Sequence, residues 1–338
     1  MKRICSLGAL LLILLGTPLA AGAGEMLNGA GATFPYPVYS AWAWLYGKEA
    51  GIRVNYQSIG SGGGQRQIAA RTVDFGASDA PLSPAELEKE RLLQFPAVIG
   101  GVVPVVNLKG LKPGELRLDA ECLCGIFLGE ISRWNDPRIA ALNSALTLPA
   151  EQITPVTRSD GSGTTAIFTT YLNEACPRWK EKVGAGKAVK WPAGIGGKGN
   201  EGVANYVKRV KGSIGYVEFA YAKQGKLVYP LLRNGAGTFV EPGMVSFVDA
   251  AASADFDPAR HFDLWLVNAP GKGAWPIAGA TFILLAAEKS EANRAAARFF
   301  DWAFRNGDKT AENLVYIPLP APLEEKVRGY WKSKGIDL

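Results

Sequence analysis

The chain has 338 residues, 37 Lys and Arg against 31 Asp and Glu, and 48% hydrophobic residues. Its basic residues are scattered, with KRVK at 208–211 the densest cluster, so neither a basic stripe nor a known module marks it for nucleic acid. One histidine and a Cys-x-Cys pair make a poor metal site, and no metal or other cofactor is expected.

The first 23 residues carry Lys2 and Arg3, then an apolar run from about Leu7 to Leu15, then small residues ending Ala21-Gly22-Ala23. This order marks an export signal cut after Ala23. The run is shorter than the roughly 20 apolar residues a bilayer span needs. No second long run follows, so the mature chain is expected to be exported, not membrane-inserted, and monomeric. Losing Lys2 and Arg3 lowers the excess of positive charge from six to four, a mild balance that suits a small anion. The length left is more than one core usually serves, so two lobes are expected. Cys122, Cys124 and Cys176 then remain. Cys122 and Cys124 are too close for a relaxed bond to each other. One bridge to Cys176 is permitted by the compartment, but three buried thiols are the simpler expectation.

Short β-rich runs alternate with helical patterns, the signature of an α/β fold. Strands are expected at Arg53–Ile59, Val73–Ala77, Val98–Asn107, Ile214–Val217 and Thr281–Ala286. Helices are expected at Gln65–Arg71, at Pro84–Gln94 behind a Ser83/Glu86 capping box, at Thr164–Glu174 and at Glu201–Arg209. A last helix is expected over Glu291–Asn306, capped by Ser290 and closed by Gly307.

Glycine-rich turns recur at 29–35, 60–64, 159–165 and 194–202, and at least two lead into expected helices. A helix start offers unpaired N–H groups and a partial positive charge, and glycine lets an anion approach them. The nucleotide loops G-x-x-x-x-G-K-[ST] and G-x-G-x-x-G are absent, as is the G-x-S-x-G elbow, and the lone His261 is a weak partner for a serine nucleophile. A cradle for a free anion accounts for more residues at once. Arg158 offers a fixed fork of donors, Asp160 two residues on is placed to hold it, and Ser162, Gly163 and Thr164 add donors at a helix start. The bland alternative is a surface ion pair with Ser159 or Asp160 as a simple cap.

NGAGATFPYPVY, YQSIGSGGGQRQI, VDFGASDAPL, FPAVIGGVVPVVN, RSDGSGTT, GGKGNEG and GSIGYVEFAYA follow one another in this order. Together they closely resemble the periplasmic phosphate-binding proteins of bacterial ABC phosphate importers. The resemblance implies a two-lobe periplasmic binding protein of type II: residues 24–100 with 274–338 in one lobe, 101–273 in the other. Crossing strands near Val98–Val103 and Trp275–Ile277 would join them. It also implies that the ligand is inorganic phosphate, the partner the membrane subunits of an ABC phosphate permease, and the chain not an enzyme. Carried onto matching positions, Thr33 and Phe34 make the first contact, Ser61 and Asp79 the next, and Arg158, Ser162, Gly163 and Thr164 the contacts from the other lobe, with Asp160 bracing the arginine. Gly62 stands where some relatives have a second serine. An ionised Asp79 accepts hydrogen bonds only, so it would take the proton that phosphate keeps and repel sulfate, which has none. The alternatives are a secreted phosphoester hydrolase and a non-transport phosphate sensor on the same scaffold.

Overall fold

The computed structural model describes residues 26–338. The expected export signal and its cleavage site lie outside the described residues. In chain order the strands are β1 Met26–Gly31, β2 Arg53–Ser58, β3 Phe75–Ser78, β4 Leu92–Val106, β5 Arg117–Leu118, β6 Thr154–Arg158, β7 Ile195–Gly197, β8 Ser213–Glu218, β9 Leu231–Arg233, β10 Phe239–Val240 and β11 Ala278–Ala286. Eight of them form one sheet in the order β2-β1-β3-β11-β4-β8-β6-β7, and β10-β9-β5 form a small second sheet.

β4 organises the molecule. Its fifteen residues, LLQFPAVIGGVVPVV, are buried from end to end, as are all nine of β11. Such largely apolar runs, interrupted by the polar Gln94 and Thr281, are what strands covered on both faces require. β4 changes partner midway: Leu92 to Gly101 pair with β11, and Val102 to Val106 pair with β8. One strand therefore belongs to two half-sheets, β2-β1-β3-β11 on one side and β8-β6-β7 on the other. Beside the changeover, the Val102 N–H donates to the Ile277 carbonyl and the Trp275 Nε1–H to the Val102 carbonyl. The β4–β11 register slips between Thr281 and Phe282, where Pro96 has no N–H to offer and Ala97 is skipped. This is the two-lobe α/β architecture expected.

Several boundaries move for identifiable reasons. The helix expected from Gln65 begins at Ser61, so the glycines form its first turns. Their poor helix propensity is outweighed by packing: a Cβ at Gly64 would come within 2.5 Å of the Gly31 Cα. The Ser83/Glu86 capping box forms, but its helix stops at Glu90 because Leu92 already belongs to β4. Ser290 is the first residue of its helix and not its cap; Lys289 holds the cap position with no side-chain bond, and the Gly307 that ends it is not left-handed.

The cysteines correct the thiol expectation, because Cys124 and Cys176 are bonded, with Cα atoms 6.4 Å apart. Cys122 and Cys124 share the helix Ala120–Phe127, and a two-residue step turns a side chain about 200° around the axis. Only one of them can therefore face Cys176; Cys122 stays buried with its Sγ against the Arg138 carbonyl. Replacing Cys124 and Cys176 together by Ala is expected to lower unfolding stability by about 2–4 kcal/mol in denaturant titrations while leaving ligand binding in place. An unchanged midpoint would argue against the bond.

Candidate functional site

The expected contact residues sit just past the C-terminal ends of parallel strands from both half-sheets. Thr33 follows β1, Ser61 follows β2, Asp79 follows β3, Arg158 closes β6 and Asn200 follows β7. β1 runs parallel to β2 and β3, and β6 parallel to β7 and β8. Ligands gather at this end of open α/β sheets because the loops there feed helix N-termini. Three such N-termini meet here, on the helices Ser61–Ala69, Gly163–Ala175 and Gly199–Arg209.

The half-sheets touch across the site. Ser61 Oγ accepts from the Gly163 N–H at 3.0 Å and the Asp79 N–H at 3.2 Å. The Gly62 N–H donates to the Gly161 carbonyl at 2.8 Å, so the position that lacks a second serine is held by its backbone. Gly163 admits no side chain: a Cβ would lie 2.4 Å from Ser61 Oγ and 2.6 Å from Asp79 Oδ2. Lys187 reaches from the far side to Gln65, while its carbonyl accepts from the Ser162 N–H. The contact residues are closed over, whereas a surface cavity of about 840 Å³ lies beside them along Gly62, Gly161 and Lys187.

Arg158 carries the fixed charge. Its side chain is 1% exposed, and Nε and Nη2 donate to the two oxygens of Asp160 at 2.8 and 2.6 Å. Burial alone would raise the Asp160 carboxyl, but the Arg158 fork and the Gly199 N–H outweigh it and hold it below its ordinary range. Gly60, at φ +85°, leaves room for this pair, since a Cβ there would strike Asp160 Oδ2 at 2.3 Å. Arg158 Nη1 is buried without a partner among the described residues.

Asp79 is its counterpart. Oδ1 accepts from the Thr281 hydroxyl at 2.7 Å, while Oδ2 is buried without a partner among the described residues. Burial pushes the carboxyl up to about 7, against the lowering effect of the Thr281 bond, the Arg158 charge and the Ser61 hydroxyl.

The hydroxyls share one pattern. Thr33 Oγ1 and Thr164 Oγ1 accept from Asn200, and Ser162 Oγ accepts from the Thr165 N–H as the helix cap. None of these three donates its proton to an acceptor among the described residues. Several buried hydroxyls elsewhere do donate, as Ser78 does to the Ala80 carbonyl, Thr169 to the Thr165 carbonyl and Ser213 to the Val210 carbonyl, whereas those of Tyr39 and Tyr171 have no partner among the described residues. Phe34 is packed in the core, with its carbonyl accepting from the Tyr316 hydroxyl at 2.6 Å.

Thr33, Ser61, Asp79, Arg158, Asp160, Ser162, Gly163 and Thr164 are thus drawn into one hydrogen-bonded cluster, with Phe34 next to Thr33 in sequence. Three participants escape a reading of the sequence: Asn200, Thr281, and Tyr216, whose hydroxyl bonds Thr165 and the Arg158 N–H. Asn200 and Tyr216 lie inside the quoted GGKGNEG and GSIGYVEFAYA, but nothing local marks them as site residues; Thr281 reads as one more strand residue. His261 bonds Tyr330 through Nδ1 at 2.6 Å and pairs with no serine among the described residues. No cluster of three or more His, Cys, Asp or Glu able to hold a metal occurs among the described residues, and no helix among them is long and apolar enough to cross a membrane.

Two half-sheets sharing a central strand, with a donor-lined site closed between them, define a two-lobe binding protein. A PBP superfamily domain model matches residues 17–306. The chain is 53% identical over 327 residues to the phosphate-binding protein PstS of Pasteurella multocida (strain Pm70), covering 96% of this chain and 95% of that protein. It is 36% identical over 322 residues to the phosphate-binding protein PstS of Methanocaldococcus jannaschii, covering 87% and 82%. Among solved structures it resembles a high affinity periplasmic phosphate-binding protein, PfluDING, bound with phosphate at pH 8.5. That likeness has TM-score 0.72 and 23% identity, over 90% of this chain and 93% of the other. The chain belongs to the PBP superfamily and, within it, to the family of the PstS phosphate-binding proteins.

The raised Asp79 carboxyl has a stability consequence. Its folded-state value lies above the ordinary 3.8, so it favours the folded state fully only below pH 3.8, and that contribution is lost as pH rises toward 7. Ligand-free Asp79→Asn is therefore expected to gain on the parent between pH 4 and 8, by up to about 4 kcal/mol. Melting curves that keep a constant spacing over that range count against a buried, high-pKa carboxyl.

Proposed function

We propose that the protein binds inorganic phosphate in the periplasm and delivers it to the membrane subunits of an ABC phosphate permease, as a monomer and without chemistry on the ligand. The observation that carries the ligand assignment is the inventory of polar capacity left over in the closed site. Among the described residues, the hydroxyl protons of Thr33, Ser162 and Thr164 and the Nη1 of Arg158 are left as donors, with Asp79 Oδ2 as an unpartnered acceptor. A tetrahedral oxyanion that keeps one proton matches that set: its oxygens take the donors, and its O–H meets Asp79. Thr33, Phe34, Ser61 and Asp79 hold it from the lobe of residues 24–100 and 274–338. Arg158, Ser162, Gly163 and Thr164 hold it from the lobe of residues 101–273, with Asp160 behind the arginine. The change of partner along β4 between Gly101 and Val102 supports that division. The family and the relatives' names support the ligand and its transport.

The Asp79 carboxyl near 7 refines the exclusion of sulfate. One proton between carboxylate and anion makes one short bond, whichever side supplies it. Phosphate near neutral pH brings its own. Sulfate brings none, so the bond forms only when Asp79 is itself protonated; otherwise two bare negative charges face each other in a desolvated site.

Two measurements test this reading. Arg158→Ala is expected to weaken phosphate binding by about 2–5 kcal/mol in calorimetry, since it removes a buried charged partner. A titration matching the parent's would remove Arg158 from the site. In the parent, sulfate should hardly compete at pH 8.5 and compete increasingly as the pH falls below 7, and Asp79→Asn should flatten that dependence. Competition that does not vary with pH sinks the proton-sharing account.

A further inference from the structure

Asn200 touches both halves of the site and has no role in the contacts above. It is fully buried in the first turn of the helix Gly199–Arg209. Its Oδ1 accepts from the Glu218 backbone N–H at 2.9 Å. That bond settles which way the amide faces, because the flipped amide would set its NH₂ against an N–H and leave both donors unmatched. Nδ2 is thereby turned to the threonines: one bond runs to Thr33 Oγ1 at 2.7 Å and one to Thr164 Oγ1 at 3.1 Å. The Asn200 backbone N–H also donates to Thr33 Oγ1, at 3.1 Å.

A hydroxyl has two lone pairs and one proton. Asn200 fills both lone pairs of Thr33 Oγ1, so the only capacity left to that oxygen is to donate. The Thr33 carbonyl is held separately by the Tyr221 hydroxyl at 2.6 Å, which fixes the backbone beneath it. Thr164 Oγ1 receives the other Nδ2 hydrogen, which turns its own proton away from Asn200. Thr33 lies after β1 and Thr164 after β6, so one amide holds a hydroxyl from each half-sheet.

We propose that Asn200 is a positioning residue that makes the Thr33 hydroxyl an obligate donor toward the anion, turns the Thr164 proton the same way, and couples that polarity to closure of the two lobes. The proposal rests on the phosphate reading above. It acts through the threonines and requires no contact between Asn200 and the ligand. An amide is suited to this because it offers two donors and one acceptor with no charge; a carboxylate would offer acceptors to both threonines and draw their protons off the ligand.

The test is a double-mutant cycle read by phosphate calorimetry on the parent, Asn200→Ala, Thr33→Val and the double variant. Each single change is expected to weaken binding at least about tenfold. The double variant should lie within about threefold of Thr33→Val, because most of what Asn200 supplies passes through that hydroxyl. Asn200→Asp keeps the acceptor for the Glu218 N–H and nearly the same shape, so it carries the test should the alanine variant fold poorly. It should lose binding at pH 8 and regain it as the pH falls and the new carboxyl takes up a proton. Losses that multiply in the double variant, or parental affinity in Asn200→Asp at pH 8, overturn the role of Asn200. A parent that takes up no phosphate overturns the ligand assignment instead.

Discussion

The site depends on a buried guanidinium that is neutralised on two of its edges and left open on the third. Taking an ion out of water costs several kcal/mol unless partners replace its hydration. Asp160 supplies that replacement for Nε and Nη2, and the Gly199 N–H supplies it for Asp160 in turn. Because Arg158 and Asp160 cancel, an ionised Asp79 leaves the three-charge group with a net −1, in a space from which water has been removed. Burial drives the Asp79 carboxyl up toward neutrality, with Asp160 adding a little and the Thr281 bond, the Arg158 charge and the Ser61 hydroxyl opposing it. Compensation for a bound anion must then come from the unmatched edge of Arg158, from the hydroxyl protons and from the helix N-termini. Once the lobes are closed, all of these are held by the protein's own bonds, and dipoles arranged in this way need no further reorganisation around the charge.

The scaffold supplies the precision such a group needs. β4 and β11 are buried along their whole lengths, and strand ends held by such a core have little freedom to drift. The irregularity at Thr281, where the ladder slips beside Pro96, falls at the residue whose hydroxyl holds Asp79 Oδ1. The shared strand also confines relative motion. With β4 continuous through the changeover at Gly101 and Val102, the half-sheets share one strand, a connection that suits pivoting about that segment better than sliding. This is hinge closure in its simplest form.

What could be read from the sequence follows from how local each interaction is. Arg158 and Asp160 are two residues apart, and Ser83 and Glu86 three apart, so spacing alone suggested both pairs and both form. Asn200 reaches Thr33 across 167 positions, and Thr281 reaches Asp79 across 202; no local pattern carries such distances. The glycine start at residue 61 misled for a related reason. Its helix is dictated by close approach to the Gly31 backbone, a tertiary fact that outweighs propensity. The disulfide turned on the 100° step between successive helix residues, which decides that Cys124 and not Cys122 faces Cys176, and that needs the partner helix in place.

On the proposed reading of the site, the position of the Asp79 carboxyl would let one acidic residue serve both affinity and discrimination. A carboxyl held far below neutrality would demand a ligand proton at every pH, and the supply of protonated anion shrinks as the solution becomes basic. A carboxyl held far above neutrality would be permanently neutral and would donate to sulfate as readily as to phosphate, leaving nothing to tell them apart. Near 7, carboxyl and phosphate titrate in the same range, so a single proton can reside on either side of the same short bond. On that reading the bound state would tolerate either ionisation state of phosphate in solution, while a fully ionised anion in basic solution would find no proton to share. Discrimination of this kind is sharpest where the anion's other neighbours donate, and the N–H groups that bond to the oxygens of Thr33, Ser61, Ser162 and Thr164 bias those hydroxyls toward donation.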